Sequence, residues 1–132
     1  MDELFEKIIF HALKRHATDV HMKIDQQLDI EFRVLGKLEH YASYEIDIGH
    51  KIMNYIKYKS FINVNYKLVP QTGAFHYFID NHIYFLRVSF LPGEHFESIV
   101  IRILNNHEKL TINELSLVKE FSGFLASICR QT

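Results

Sequence analysis

The sequence contains little cysteine, proline or glycine and no tryptophan. Its 132 residues include one cysteine, two prolines and five glycines. A single cysteine, Cys129, cannot form an internal disulfide, so the framework of a small disulfide-stapled secreted domain is excluded. No low-complexity tract, charge block or internal repeat marks a linker, and the length suits one domain. The sequence therefore predicts a single compact domain.

An excess of positive charge is also missing. Fifteen lysines and arginines stand against sixteen acidic residues, for a formal net charge of -1. Nucleic-acid binding normally needs a basic surface, so direct binding of DNA or RNA is not expected. No apolar run approaches the ~18 residues of a membrane-spanning helix. The acidic start, Met1-Asp2-Glu3, is unlike a signal peptide, and we expect a cytoplasmic location.

Hydrophobic periodicity predicts an α/β domain of the α+β type. A helical period occurs near the N-terminus, in the middle of the chain and near the C-terminus, and a period of two occurs between these segments. Antiparallel strands and two β-hairpins should therefore pack against amphipathic helices. The predicted helices cover about 3–15, 47–59 and 117–128, and the predicted strands 20–24, 28–34, 74–79, 83–91 and 98–104.

Two details of the helices can be stated in advance. Asp47 is the expected N-cap of the middle helix, and Lys51, Lys57 and Lys59 are expected on its solvated face. After the last helical pattern the chain stops at Thr132 without a glycine or proline stop signal. Residues 1–112 are therefore expected to form the domain, and 113–132 a connecting helix.

The motifs of common catalytic sites are missing. No phosphate loop, dinucleotide fingerprint, zinc-protease motif or CxxC pair occurs, so no catalytic residue is expected in this chain. Nine histidines raise the question of a metal, but His11 and His16 are five apart on a helix and diverge. The Asp80-Asn81 hairpin should pair His76 with Phe85. No metal site is expected.

Two arginines within predicted strands are the most informative charged residues. A turn centred between Glu94 and His95 would place Arg87 directly opposite Arg102. Cross-strand neighbours have Cβ atoms about 5 Å apart, and like charges at that distance are destabilising unless something negative lies nearby. Two interpretations follow, of which sequence chemistry alone favours the first. Asp19, Glu31 or Glu97 supplies a structural salt bridge, or the arginines contact a phosphate, which guanidinium groups match in geometry.

Five segments, in order, resemble motifs of the assembly ATPases of type II secretion, type IV pili and DNA-uptake pseudopili. Residues 17–22 (ATDVHM) are similar to that family's Ala-Ser-Asp-Ile-His motif, and 32–36 (FRVLG) to its Phe-Arg-Ile-Asp-Gly motif. The other three are 70–75 (PQTGAF), 87–92 (RVSFLP) and 97–104 (ESIVIRIL). The resemblance covers about residues 5–130, and its closest branch is the ComGA-like competence ATPase, because this domain starts directly at Met1.

The sequence departs from the family pattern at several places around these motifs. Glu31 stands where arginine is common, Leu35 and Thr72 replace aspartates, Ala74 replaces an arginine and Phe96 replaces a glycine. These changes affect the secondary polar contacts that the resemblance would imply. Arg87 and Arg102 are kept.

The resemblance implies a hexameric motor that powers pilus or pseudopilus assembly, or type II secretion. ATP and magnesium would be held between this domain and a RecA-like domain after residue 132, and this chain alone would bind neither. Arg87 and Arg102 would contact the nucleotide phosphates, which makes phosphate the favoured interpretation of the pair. Asp19, His21, Arg33 and Glu97 would form a supporting polar network. The implied partners are the RecA-like domain, the other subunits of a homo-hexamer and a polytopic membrane platform protein, with peripheral placement at the inner face of the membrane.

Two other classes stay open at this point. A small peptide- or metabolite-binding sensor module would show an enclosed apolar pocket and arginines turned toward internal carboxylates. A stand-alone metal enzyme would show three converging histidines or carboxylates.

Overall fold

The computed structural model describes residues 1–60 and 70–105, which form one sheet and two helices, an α+β domain as the periodicity predicts. The third predicted helix, and with it residues 113–132, lies outside the described residues. The elements in chain order are α1 (Asp2–Lys14), β1 (Asp19–Ile24), β2 (Leu28–Val34), β3 (Lys37–Tyr44), α2 (Ile46–Lys59), β4 (Gln71–Ile79), β5 (His82–Pro92) and β6 (Glu97–Asn105).

The six strands form one sheet in the order β3-β2-β1-β6-β5-β4, and every neighbouring pair is antiparallel. The two predicted hairpins of the second half are present, and His76 pairs with Phe85 as predicted. Strand β6 returns to lie beside β1, which joins the two halves of the chain in the middle of the sheet. Residues far apart in sequence, such as Asp19 and Arg102, therefore become direct neighbours.

One face of the sheet is the core. Alternate residues of the central strands are buried there, for example Val20 and Met22 on β1 and Ile99 and Ile101 on β6. Both helices cover this face, since their own buried residues belong to the same hydrophobic cluster. We call the other side the open face, because neither described helix covers it. Neither of these helices is long and apolar enough to cross a membrane.

Strand β3 was missed by the sequence analysis, which predicts no strand between residues 34 and 74. Its residues do not alternate cleanly because the register with β2 shifts between Ile30 and Glu31, and this β-bulge changes the sides on which successive residues lie. The assignment of Asp47 as N-cap was also wrong. The cap position is Glu45, which makes no side-chain capping bond, and Asp47 lies in the first turn, where its charge favours the helix dipole.

The expected solvated position of Lys57 was wrong as well. Lys51 and Lys59 are exposed, but Lys57 is only 2% exposed and lies against the sheet. Its Nζ is 4.0 Å from the centre of the Phe90 ring and 3.7 Å from Oε2 of Glu97. A lysine can be buried in this way when its ammonium group has a carboxylate and an aromatic face as partners.

The turn between β2 and β3 places a leucine, Leu35, in a backbone conformation that is unfavourable for it. Leu35 has a φ of 52° and its side chain is 94% exposed, and Gly36 follows with a φ of 81°. Two consecutive positive φ values define the tight hairpin turn that suits asparagine or aspartate followed by glycine. A leucine there carries the steric cost of the left-handed conformation without gaining any burial.

We therefore expect Leu35→Asn to stabilise the domain by about 1 kcal/mol, because asparagine tolerates positive φ much better than leucine does. Thermal unfolding of the two chains should show a higher melting temperature for the variant. Leu38→Asn, which changes an exposed leucine of the adjoining strand, is the matched control and should give no such gain. An unchanged or lower melting temperature for Leu35→Asn would contradict this account of the turn.

Candidate functional site

A row of four charged residues crosses the open face of the sheet. Asp19 on β1 is the direct neighbour of Arg33 on β2 and of Arg102 on β6, and Arg102 is in turn the neighbour of Arg87 on β5. The charges across the row are thus positive, negative, positive and positive. One carboxylate stands against three guanidinium groups, which leaves the row with an excess of positive charge.

Asp19 is the buried centre of the row. Its side chain is only 6% exposed, and Oδ1 accepts a hydrogen bond from Nε of Arg102 at 3.2 Å. The other oxygen, Oδ2, accepts a hydrogen bond from the hydroxyl of Thr18 at 3.0 Å and lies 3.7 Å from Nε of Arg33. Both carboxylate oxygens therefore have partners, as a buried charge requires.

Two nitrogens of the Arg33 guanidinium group have partners. Its Nε faces Asp19, and its Nη1 donates a hydrogen bond to the carbonyl of Gly36 at 3.0 Å. The β2–β3 turn and the row are therefore linked through one guanidinium group. The carboxylate with which Arg33 pairs is that of its cross-strand neighbour Asp19.

Arg87 and Arg102 differ in their surroundings, although they lie opposite each other as predicted. Arg102 keeps 62% of its side chain exposed while its Nε is bound to Asp19. Arg87 is exposed, and no carboxylate pairs with it within residues 1–60 and 70–105. The structural interpretation of the pair therefore accounts for Arg102 but gives Arg87 no partner in the described part.

The local sequence fixes this register through the turn between β5 and β6. The amide of Gly93 donates a hydrogen bond to the carbonyl of Phe96 at 2.8 Å, and Pro92 pairs with Glu97. A Cβ atom at position 93 would lie 2.4 Å from the Phe96 ring, so glycine allows the ring to pack over the turn. A turn of fixed length sets the pairing of every residue along the hairpin.

His21 lies next to the row on the open face. It neighbours Glu31 on β2 and Val100 on β6. Burial lowers the pKa of His21, the charge of Arg33 lowers it further, and Asp19 and Glu31 oppose the shift. In the part of the chain that is described, its buried Nε2 has no hydrogen-bond partner. The lowered pKa favours the neutral form of the imidazole.

The inclusion of Glu97 in the supporting network was wrong. Glu97 pairs with Ile24 and Pro92 on the core face, where its carboxylate lies 3.7 Å from Nζ of Lys57. Successive residues of a strand point to opposite faces, and Glu97 and Arg102 are an odd number of positions apart on β6. Glu97 therefore lies on the face opposite to Arg102 and cannot join the row. Thr18 was missed by the sequence analysis, although a hydroxyl residue next to a buried aspartate is a recognisable local hydrogen-bonding pattern.

The chemistry that this arrangement supports is anion binding. Two adjacent guanidinium groups, one fixed and one free of a described partner, can donate hydrogen bonds to the oxygens of a phosphate. Within the described ranges, no group of three or more histidine, cysteine or acidic side chains could hold a metal ion. The row therefore presents an excess of positive charge to which an anion could bind.

Comparison with known proteins gives consistent relatives. Competence protein ComGA of Halalkalibacterium halodurans is 25% identical over 128 residues, which cover 96% of this chain and 37% of the relative. Type II secretion system protein E of Aeromonas hydrophila is 25% identical over 130 residues, covering 97% of this chain and 26% of the relative. Type II secretion system ATPase E of Vibrio cholerae is 27% identical over 117 residues, covering 87% and 23%.

The chain thus spans between about a quarter and somewhat over a third of the length of these relatives. A family model described as "Type II/IV secretion system protein" matches residues 1–132, the whole of the chain. The agreement between this match and the order of the motifs around Asp19, Arg33, Arg87 and Arg102 leads to one conclusion: the chain belongs to the Type II/IV secretion system protein family.

Proposed function

We propose that this chain is the N-terminal, nucleotide-coupling domain of a hexameric cytoplasmic traffic ATPase. Residues 1–112 would form the regulatory domain, and residues 113–132 would be a helix that connects it to a RecA-like ATPase domain. The observation that carries the proposal is the exposed Arg87, which lies beside Arg102 in the sheet. The chain belongs to the Type II/IV secretion system protein family, and one of its relatives is a type II secretion system ATPase.

The residues of the row fit a role in contacting phosphate but not a role in holding a nucleotide alone. When bound in the parent protein, ATP with magnesium would supply the phosphoryl group that is transferred to water. Arg87 and Arg102 would donate hydrogen bonds to phosphate oxygens and stabilise the negative charge that develops during transfer. Such contacts would also draw this domain toward the nucleotide and so couple hydrolysis to movement between domains.

The proposed partners follow from the same assignment. They are the RecA-like domain of the same protein, the other subunits of a homo-hexamer and a polytopic membrane platform protein. The motor would act at the inner face of the cytoplasmic membrane and power (pseudo)pilus assembly for DNA uptake, or type II secretion. The similarity to competence protein ComGA supports the first of these machines, and the type II secretion relatives support the second.

The isolated chain should bind ATP no more tightly than about 1 mM, which corresponds to about 4 kcal/mol. Exposed arginines without a phosphate loop or metal provide only an attraction that solvent and salt screen. Isothermal titration calorimetry with ATP at physiological salt checks this, with the full-length protein that contains this chain as the positive control. Micromolar binding by the isolated chain would show that the nucleotide site lies in this domain and that its coupling role is misassigned.

A further inference from the structure

The contacts of Asp19 separate the two arginines of the proposed phosphate site. Arg102 is bound through Nε, the nitrogen nearest the side-chain stem, to a carboxylate that is almost fully buried. A bond at Nε uses one of the five N–H donors of the guanidinium group and leaves the donors on its terminal nitrogens available for another acceptor. Arg87, by contrast, shows no ion pair with any described residue. One guanidinium group is therefore held by a buried carboxylate, and the other has no ion-pair partner among the described residues.

The carboxylate itself is held in place by three groups. The Thr18 hydroxyl binds the same oxygen that faces Arg33, so the opposite oxygen is directed at Arg102. Arg33 is in turn restrained by the carbonyl of Gly36. Asp19 is thus set by the sheet and the β2–β3 turn, and it cannot follow Arg102 outward without losing these contacts.

We propose that Asp19 is a positioning residue, which holds Arg102 as the fixed phosphate contact of the site while Arg87 is the mobile one. This inference rests on the proposed function. The fixed arginine would meet the phosphate in the geometry of the ground state, because its orientation is set before the nucleotide arrives. Arg87 would move to the phosphate only as the domains approach each other.

The positioning is tested first by NMR of the arginine Nε–H groups in this chain, without any nucleotide. In the unchanged chain the Nε–H of Arg102 should exchange slowly with water and be shifted by its bond to the carboxylate, and that of Arg87 should exchange fast. Asp19→Asn should abolish the slow exchange of Arg102 and leave Arg87 unaltered. Asp29→Asn is the matched control, since Asp29 is an open-face carboxylate bonded to Gln27 and Ser43 and not to an arginine.

The consequence for the reaction is tested by a double-mutant cycle in the full-length protein. If Asp19 acts through Arg102, Asp19→Asn should lower ATP turnover about fivefold or more, and combining it with Arg102→Ala should cost no more than Arg102→Ala alone. When Asp19→Asn is combined with Arg87→Ala, the two losses of turnover should multiply, because Asp19 does not act through Arg87. Asp19→Glu, which keeps the charge, should recover part of the turnover, and melting curves identify any variant that is unfolded.

The outcomes separate the two proposals. Rapid exchange of the Arg102 Nε–H in the unchanged chain would overturn the positioning role, whatever the motor does. Losses for Asp19→Asn and Arg102→Ala that simply multiply would overturn it as well. Slow exchange of the Arg102 Nε–H, together with full turnover in the Arg87 and Arg102 variants, would instead support the positioning of Arg102 by Asp19 and defeat the proposed function.

Discussion

Arg102→Ala is expected to lower both the stability of this chain and the ATP turnover of the protein that contains it. Removing the guanidinium group leaves the buried Asp19 with Thr18 and the more distant Arg33 as partners. Breaking a fully buried pair costs about 3 to 5 kcal/mol, but Arg102 is 62% exposed, so solvent screening reduces the expected cost to about 1 to 2 kcal/mol. Turnover should fall at least tenfold, because a positioned phosphate contact is lost.

Chemical unfolding of the variant measures the first effect, and steady-state hydrolysis by the full-length protein measures the second. Arg15→Ala is the matched control, since Arg15 forms an ion pair with Glu39 in which both side chains are largely exposed. Its effect on stability should stay within about 0.5 kcal/mol. A stability loss for Arg102→Ala no larger than that of the control would mean that Asp19 does not depend on Arg102.

Much of the sheet could be predicted because a short turn determines which residues of its two strands are paired, and these pairs can be found by counting outward from the turn. The Asp80-Asn81 turn placed His76 opposite Phe85, and the turn around Glu94 placed Arg87 opposite Arg102. Alternating hydrophobic residues then identified the core face of each strand. This local information was sufficient to bring the two arginines together before any tertiary contact was known.

The sequence predicted that a carboxylate would lie near the arginines, but it did not identify which one. Asp19, Glu31 and Glu97 were equal candidates, because the pairing of β1 with β6 joins residues far apart in the chain and no turn sets it. That pairing places Asp19 beside Arg102, and the alternation of β6 places Glu97 on the other face. Lys57 could not be placed for the same reason, since its burial depends on contacts with Phe90 and Glu97 across the core.

Arg87→Ala is expected to give a different result from Arg102→Ala. No described carboxylate loses a partner when Arg87 is removed, and the like-charge contact with Arg102 is relieved. The stability of the chain should therefore stay level or rise slightly. ATP turnover should nevertheless fall at least tenfold, a cautious threshold because an arginine that contacts a transferring phosphoryl group can contribute about a thousandfold or more.

The site is tested most directly by measuring melting temperature and ATP turnover on the same Arg87→Ala variant of the full-length protein. The phosphate-contact account predicts an unchanged or slightly raised melting temperature together with at least a tenfold loss of turnover. A stable and fully active Arg87→Ala protein would contradict it.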